Sequence, residues 1–186
     1  MKGRETHQEI ELRPARRSHA GSIARMSRDL IEQGLGWTWR RARVERALSS
    51  SDTLAVIAAR GKELLGFAIM TFDRDSAHLM LFAVSPDARR AGIGSRLLAW
   101  LETCAIDAGI SRITLEVRAT ARDARAFYEA RGFKPVRLLH GYYQKREHGV
   151  AMRKDIMPPP DSGATGAGGE DPLARIFASA ARDEDR

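Results

Sequence analysis

Residues 89–94 read Arg-Arg-Ala-Gly-Ile-Gly and stand directly before the helix-like run SRLLAWLE. Gly92 and Gly94 remove side chains where the backbone would approach something closely, and glycine reaches backbone angles other residues resist. The helix start offers unpaired N–H groups and a partial positive charge. Arg89 and Arg90 add formal charge. Together these make an anion cradle suited to a phosphate or pyrophosphate, although a plain strand-to-helix turn can carry the same six residues. A second chemical signal is the alternation in ITLEVRA. Leu115 and Val117 point one way along a strand, so Glu116 shares the other face with Thr114 and Arg118.

The bulk numbers bound what these residues can serve. The chain has 186 residues, 43% of them hydrophobic, which is enough for one domain with a real core. No apolar run is long enough to span a bilayer, and MKGRETHQEIELRP lacks the apolar stretch of a secretory signal. The single cysteine, Cys104, excludes an internal disulfide framework and fits a cytoplasmic setting; its apolar helical surroundings read as core. Cys/His metal-ligand spacing is absent, so no metal is expected. The net charge of +7 is uneven: residues 157–186 carry three basic and six acidic side chains, and residues 1–156 carry 28 and 18, a net of +10. A basic body favours an anionic cofactor or an acidic partner. Arginines are dispersed and aromatics make up only 6%, without a nucleic-acid-binding motif.

The elements that would position the cradle follow from periodicity. HQEIELRP reads as a strand, Ala15–Leu35 as a helix with Ile23, Met26, Leu30 and Ile31 on one face, and Trp39–Leu48 as a short helix. TLAVIAAR and LLGFAIMTF form a hairpin, and the continuously apolar AHLMLFAV is a central strand. A helix over Ser95–Gly109 puts Leu97, Leu98, Leu101, Ala105 and Ile106 inward. A strand over Arg112–Ala119 and a helix over Thr120–Ala130 follow, the latter with Thr120 and Asp123 as a capping pair. GFKPVRLL and EHGVAMRKD close the sheet, with HGYYQK as their connection. The expected class is α/β (α+β): a mixed, mostly antiparallel sheet of about seven strands flanked by about four helices. Residues 1–156 are the expected domain, and 157–186, rich in Pro, Gly and Ser, a flexible tail in which PLARIFASAAR can form a turn or two of helix.

Placed at the end of a central strand, the loop is where open sheets bind ligands. Here the chain resembles the GNAT superfamily of acetyl-CoA-dependent N-acetyltransferases. Arg89-x-x-Gly92-x-Gly94 is similar to the family's Q/R-x-x-G-x-G/A pyrophosphate loop, and LFAVSPDARRAGIGSRLL to the strand–loop–helix around it. ARAFYEARGF, residues 124–133, is similar to the family's closing motif, in which Ala124 is the small residue. The clear resemblance spans Leu79–Phe133 and a weaker one residues 8–155. Within the superfamily the chain looks most like the bacterial ribosomal-protein alanine N-acetyltransferases.

The resemblance implies acetyl-CoA as cofactor and direct transfer of acetyl to an amine. Two strands splay beside a bulge, pantetheine pairs with backbone at Phe82, Ala83 and Val84, and the amides of Arg90, Ala91, Gly92, Ile93, Gly94 and Ser95 hold the pyrophosphate. Tyr128 stands where the family's thiolate-protonating tyrosine stands. Glu116 matches the glutamate base in the LEVRA stretch of the ribosomal-protein branch, and His78 matches a histidine of the serotonin N-acetyltransferase branch; Glu116 ranks first. Ala121 occupies the position of the family's cofactor-contacting asparagine; either Arg122 or Asp123 substitutes for it or that contact is absent. Tyr142 and Tyr143 match tyrosines bordering a peptide groove, and Trp37 and Trp39 lie in the segment that forms its other wall. An α-amine with a pKa near ~8 is easier to deprotonate than a lysine near ~10.4, which would cost roughly 4 kcal/mol. The expected acceptor is therefore a peptide or protein N-terminus. A small-amine acetyltransferase using His78, or a CoA-binding module without turnover, are the alternatives. Relatives that pair through sheet edges make a homodimer compatible with the sequence.

Overall fold

The computed structural model describes residues 9–156. The expected tail and its short helix lie outside the described residues. Seven strands and four α-helices follow one another as β1 (Glu11–Pro14), α1 (Ala20–Leu30), α2 (Arg41–Ala47), β2 (Thr53–Arg60), β3 (Glu63–Phe72), β4 (Ser76–Val84), α3 (Ile93–Asp107), β5 (Arg112–Arg118), α4 (Arg122–Glu129), β6 (Lys134–Tyr143) and β7 (Glu147–Asp155). Short 3₁₀ turns precede α1 and follow β4. The strands form one sheet in the order β1-β2-β3-β4-β5-β7-β6, antiparallel except between β4 and β5. β4 is therefore the middle strand, as its unbroken apolar run requires.

Both faces of the sheet are covered. Leu54, Val56 and Ala58 of β2 pack with α3 through Leu97, Leu98 and Leu101, while Ala55, Ile57 and Ala59 pack with Ile23 of α1 and Val44 of α2. Cys104 is buried within α3, and burial pushes its thiol up to about 11, so it stays protonated and inert.

Several local expectations change. Ile106 is 45% exposed rather than inward, because α3 turns that side of its last turn to solvent. α1 starts at Ala20 instead of Ala15, since the Ala15 N–H still donates to Ala55 O in line with the β1–β2 ladder. It stops at Leu30, where the Glu32 N–H turns to Ser27 O in place of Arg28 O, and beyond it the carbonyls of Ile31 and Gln33 accept from Arg118. Thr120 and Asp123 do not cap α4: the N-cap residue is Ala121, and the Thr120 hydroxyl donates to Glu147. His140–Tyr143 belong to β6 and not to a connection.

Two features of β4 open the sheet at its centre. The register jumps from Ile69↔Leu81 to Met70↔Leu79, so Met80 sits in a bulge. Ahead of it Ala77 and Leu79 point to the α3/α4 face; beyond it Phe82 and Val84 do. On its other side β4 pairs with β5 only from Ser76↔Arg112 to Leu79↔Leu115, and then the two strands part.

Candidate active site

Where β4 and β5 part, a cavity of about 440 Å³ runs through the sheet. One side is lined by Glu32, Thr38, Trp39 and Arg43 from the α1–α2 region, and the other by Phe82, Ala121, Ala124 and Tyr128. The parallel register places His78 opposite Thr114, one step from Glu116 on the same face. His78 Nε2 lies 3.1 Å from Glu116 Oε2, and His78 Nδ1 lies 3.0 Å from Thr114 Oγ1. The two rival bases are thus one contacting pair. The hydrogen bond from His78 holds the Glu116 carboxyl below its ordinary range; partial burial opposes this, and the His78 charge and the Tyr142 hydroxyl add to it. Thr114 Oγ1 is also 3.3 Å from Ala77 O, so its one hydroxyl hydrogen has two acceptors in reach. Turned to Ala77 O, it leaves Thr114 free to accept Nδ1–H from a protonated His78, whose Nε2–H goes to Glu116. Turned to Nδ1, it suits the neutral ring. Either protonation state is fully hydrogen-bonded.

Tyr128 comes to the gap from the opposite face. Its ring packs against Phe82, Phe127 and Phe133 at centroid distances of 6.0, 5.3 and 5.6 Å. Among the described residues its hydroxyl has no hydrogen-bond partner. Burial, with Tyr143 nearby, raises the phenol well above its usual value, so it is a proton donor and not a phenolate. A carboxylate–imidazole pair on one face and a neutral phenol on the other can remove a proton from one end of a reacting group and deliver one to the other end.

At the end of β4 the cradle takes shape. The Arg89 side chain folds back so that its Nε–H donates to Val84 O at 3.3 Å. Arg90 and Gly92 both have positive φ, 64° and 76°. Gly92 is the N-cap of α3 in the left-handed conformation, and a Cβ there would meet nothing within 4 Å; the need for glycine is conformational. Gly94 is different: its Cβ would lie 3.1 Å from the Phe127 ring, so the close neighbour that demands this glycine is α4 itself. The amides of Ile93, Gly94 and Ser95 are first-turn donors, since the helical ladder begins with Arg96 N–H to Gly92 O. The Ser95 hydroxyl accepts from Arg131, whose guanidinium lies 3.7 Å from the Phe127 ring centroid. Arg131 is a support the sequence reading missed. Of the β4 residues named for the cofactor, Phe82 lines the cavity, while Ala83 is buried on the α1/α2 face. Ala91 lies between the two positive-φ residues, Ala121 and Ala124 line the wall, and Arg122 and Asp123 open α4.

The α1/α2 mouth is built from residues that sequence reasoning missed. Glu32 is buried, and its carboxylate accepts from Thr38 N at 2.7 Å, Thr38 Oγ1 at 2.6 Å, Trp39 N at 3.1 Å and Ser27 Oγ at 3.3 Å. This folds residues 32–39 into a fixed turn. Gln144 pins that turn to the β6–β7 hairpin: Gly36 N donates to its Oε1 at 2.7 Å, and its Nε2 donates to Gly36 O at 2.9 Å. Tyr142 is half exposed at the mouth, and Tyr143 stands beneath the Arg118 guanidinium at 5.8 Å. Both phenols are raised, chiefly by burial. Trp39 lines the cavity; Trp37 does not, lying between Arg28 and Arg40 and donating Nε1–H to Trp39 O.

The acetyltransferase (GNAT) family model matches residues 24–133, more than half of the chain. The chain belongs to the GNAT acetyltransferase family. It is 37% identical over 97 residues to the [ribosomal protein bS18]-alanine N-acetyltransferase of Escherichia coli K12, a match covering 50% of this chain and 66% of that protein. The crystal structure of the ribosomal-protein-S18-alanine N-acetyltransferase from Escherichia coli superposes with a TM-score of 0.71 at 24% identity, over 84% of this chain and 100% of that one. The PaiA N-acetyltransferase from Thermoplasma acidophilum, solved in complex with coenzyme A, gives 0.67 at 19% identity over 79% and 99%. The chain spans about three fifths to two thirds of the length of the curated relatives it matches. The GNAT fold accounts for the sheet order, the parted strands and the glycine turn together. Among the described residues no helix is long and apolar enough to cross a membrane, and no cluster of three metal-binding side chains occurs.

Proposed function

We propose that this chain transfers an acetyl group directly from acetyl-CoA to a primary amine, and that the amine is the N-terminal α-amine of a peptide or protein. One observation carries the reading. The Glu116–His78 pair and the Tyr128 hydroxyl approach one gap in the sheet from opposite faces. The residues present fit the cofactor: β4 backbone beyond Leu79 is unpaired on the β5 side, and the α3 amides with Arg89 and Arg90 suit a pyrophosphate. Acetyl-CoA, when bound, supplies a thioester carbonyl open to amine attack and a thiolate that leaves.

The protein's own part is positioning and proton movement. Glu116 draws the acceptor ammonium and takes its proton, and His78 with Thr114 spreads the resulting charge over a hydrogen-bonded chain. Tyr128 holds a proton at the far side of the gap for the departing sulfur. Support for an α-amine comes from the bS18-alanine relative, because alanine has no side-chain nitrogen. The test is thiol release from acetyl-CoA with peptides bearing free or blocked N-termini, beside polyamines, arylalkylamines and aminoglycosides. Turnover on free N-termini alone is expected. Turnover on small amines alone would make this a small-amine acetyltransferase. Tight CoA binding with no turnover would make it a binding module.

A further inference from the structure

The rim of the acceptor mouth carries cations that lack acidic partners among the described residues. Its carboxylates are engaged: Glu32 by four neutral donors, Glu116 by His78, Glu147 by Arg118, Asp29 by Arg28 and Glu45 by Arg41. Arg43 lines the cavity and its guanidinium lies over the Trp39 ring, 4.2 Å from the centroid. Among the described residues no carboxylate lies within ion-pair distance of it. Among the described residues the Arg40 side chain bonds only the Trp37 carbonyl, at 3.4 Å, and it lies over the Trp37 ring. Across the mouth, Arg146 reaches the Gly34 carbonyl at 3.4 Å, and the adjacent Lys145 is exposed. These groups stand around a turn whose backbone is fixed by Glu32 and Gln144, so the segment that carries Trp39 is in place before anything binds.

We propose that the acceptor is an acidic N-terminal segment, whose carboxylate within the first few residues is read by Arg43 stacked on Trp39. The inference rests on the acceptor reading above and names its substrate class. A guanidinium seated over an indole ring can still turn N–H groups to a carboxylate, which it can bind in two parallel hydrogen bonds. The α-ammonium of the same segment is drawn to Glu116, so recognition has two points of opposite sign. Arg40, Arg146 and Lys145 strengthen the positive field at the rim and disfavour a segment that brings arginines or lysines.

The experiment uses the full chain, acetyl-CoA and three peptides of equal length with free N-termini and acidic, neutral or basic residues at positions two to four. A charge-assisted hydrogen-bonded contact at an exposed rim predicts a kcat/KM ratio of acidic to basic peptide of about tenfold or more. In Arg43→Glu the order reverses. The ratio is taken within one variant, so partial misfolding does not alter it, and Arg43→Lys, which keeps the charge but loses the two-pronged guanidinium, falls between. Preference for the basic peptide, or a ratio unchanged in Arg43→Glu, overturns the proposal. A parallel titration of tryptophan fluorescence separates the two readings. Binding of the acidic peptide alone without turnover upholds the surface and overturns the transferase; no acidic-peptide binding overturns the surface.

Discussion

Replacing Tyr128 with phenylalanine removes one oxygen and leaves the ring among Phe82, Phe127 and Phe133. Tyr128 is 7% exposed, and no other described residue partners its hydroxyl. The hydroxyl oxygen is not sealed from the cavity, so water there offsets most of the roughly 1–3 kcal/mol that a buried unpaired hydroxyl would cost. The change in stability should lie between zero and about 1 kcal/mol in favour of the variant, a rise in Tm of up to about 4 °C for a domain of this size. If the phenol supplies the leaving thiolate with its proton, kcat should fall by about a hundredfold or more. The assays are thermal melting by circular dichroism and thiol release under saturating acetyl-CoA and peptide. Stability and activity are expected to move apart. A variant that turns over at the wild-type rate removes Tyr128 from the chemistry. A variant that loses stability and activity together reduces it to a packing residue.

Glu116→Gln should lower kcat/KM by roughly a hundredfold. Because the folded Glu116 carboxyl lies below its ordinary value, the stability it contributes is complete above the unfolded value near ~4.3 and is lost as pH falls through the folded one; acid titration followed by fluorescence should show a shallower decline in the variant. The wild-type kcat/KM should rise with pH toward the acceptor amine's own value near ~8, since Glu116 is already ionised there. Gly92→Ala meets no atom but must hold φ near 76°, so it should cost about 1–2 kcal/mol and weaken CoA binding in a calorimetric titration. Glu32→Ala strands the N–H groups of Thr38 and Trp39; it should lower stability by about 2–3 kcal/mol and raise the peptide KM more than it lowers kcat.

The two-sided burial of β2 and β3 was readable as unbroken apolar runs, and the alternation of β5 put Glu116 on the face away from Leu115. Contact between Glu116 and His78 was not readable, because it depends on the parallel register of two strands 36 residues apart at His78 and Thr114. The full length of β6 was hidden for a different reason. It is an edge strand with Val136 and Leu138 exposed, so no buried periodicity marks it. Gly92 and Gly94 look alike in the sequence and do different work, one through backbone angle and the other through the Phe127 ring. Glu32 is a polar residue at the end of an apolar-periodic run. Its partners are backbone amides six and seven residues on, and only a structured turn brings them together.

Locating the acetyl group tests α-amine transfer most directly. A peptide carrying both a free α-amine and an internal lysine, incubated with the protein and acetyl-CoA, would be sequenced by tandem mass spectrometry. One acetyl group is expected on the α-nitrogen, dependent on the protein and lost in Glu116→Gln. Acetyl on the lysine side chain, or unmodified peptide beside rapid turnover of a small amine, would contradict it.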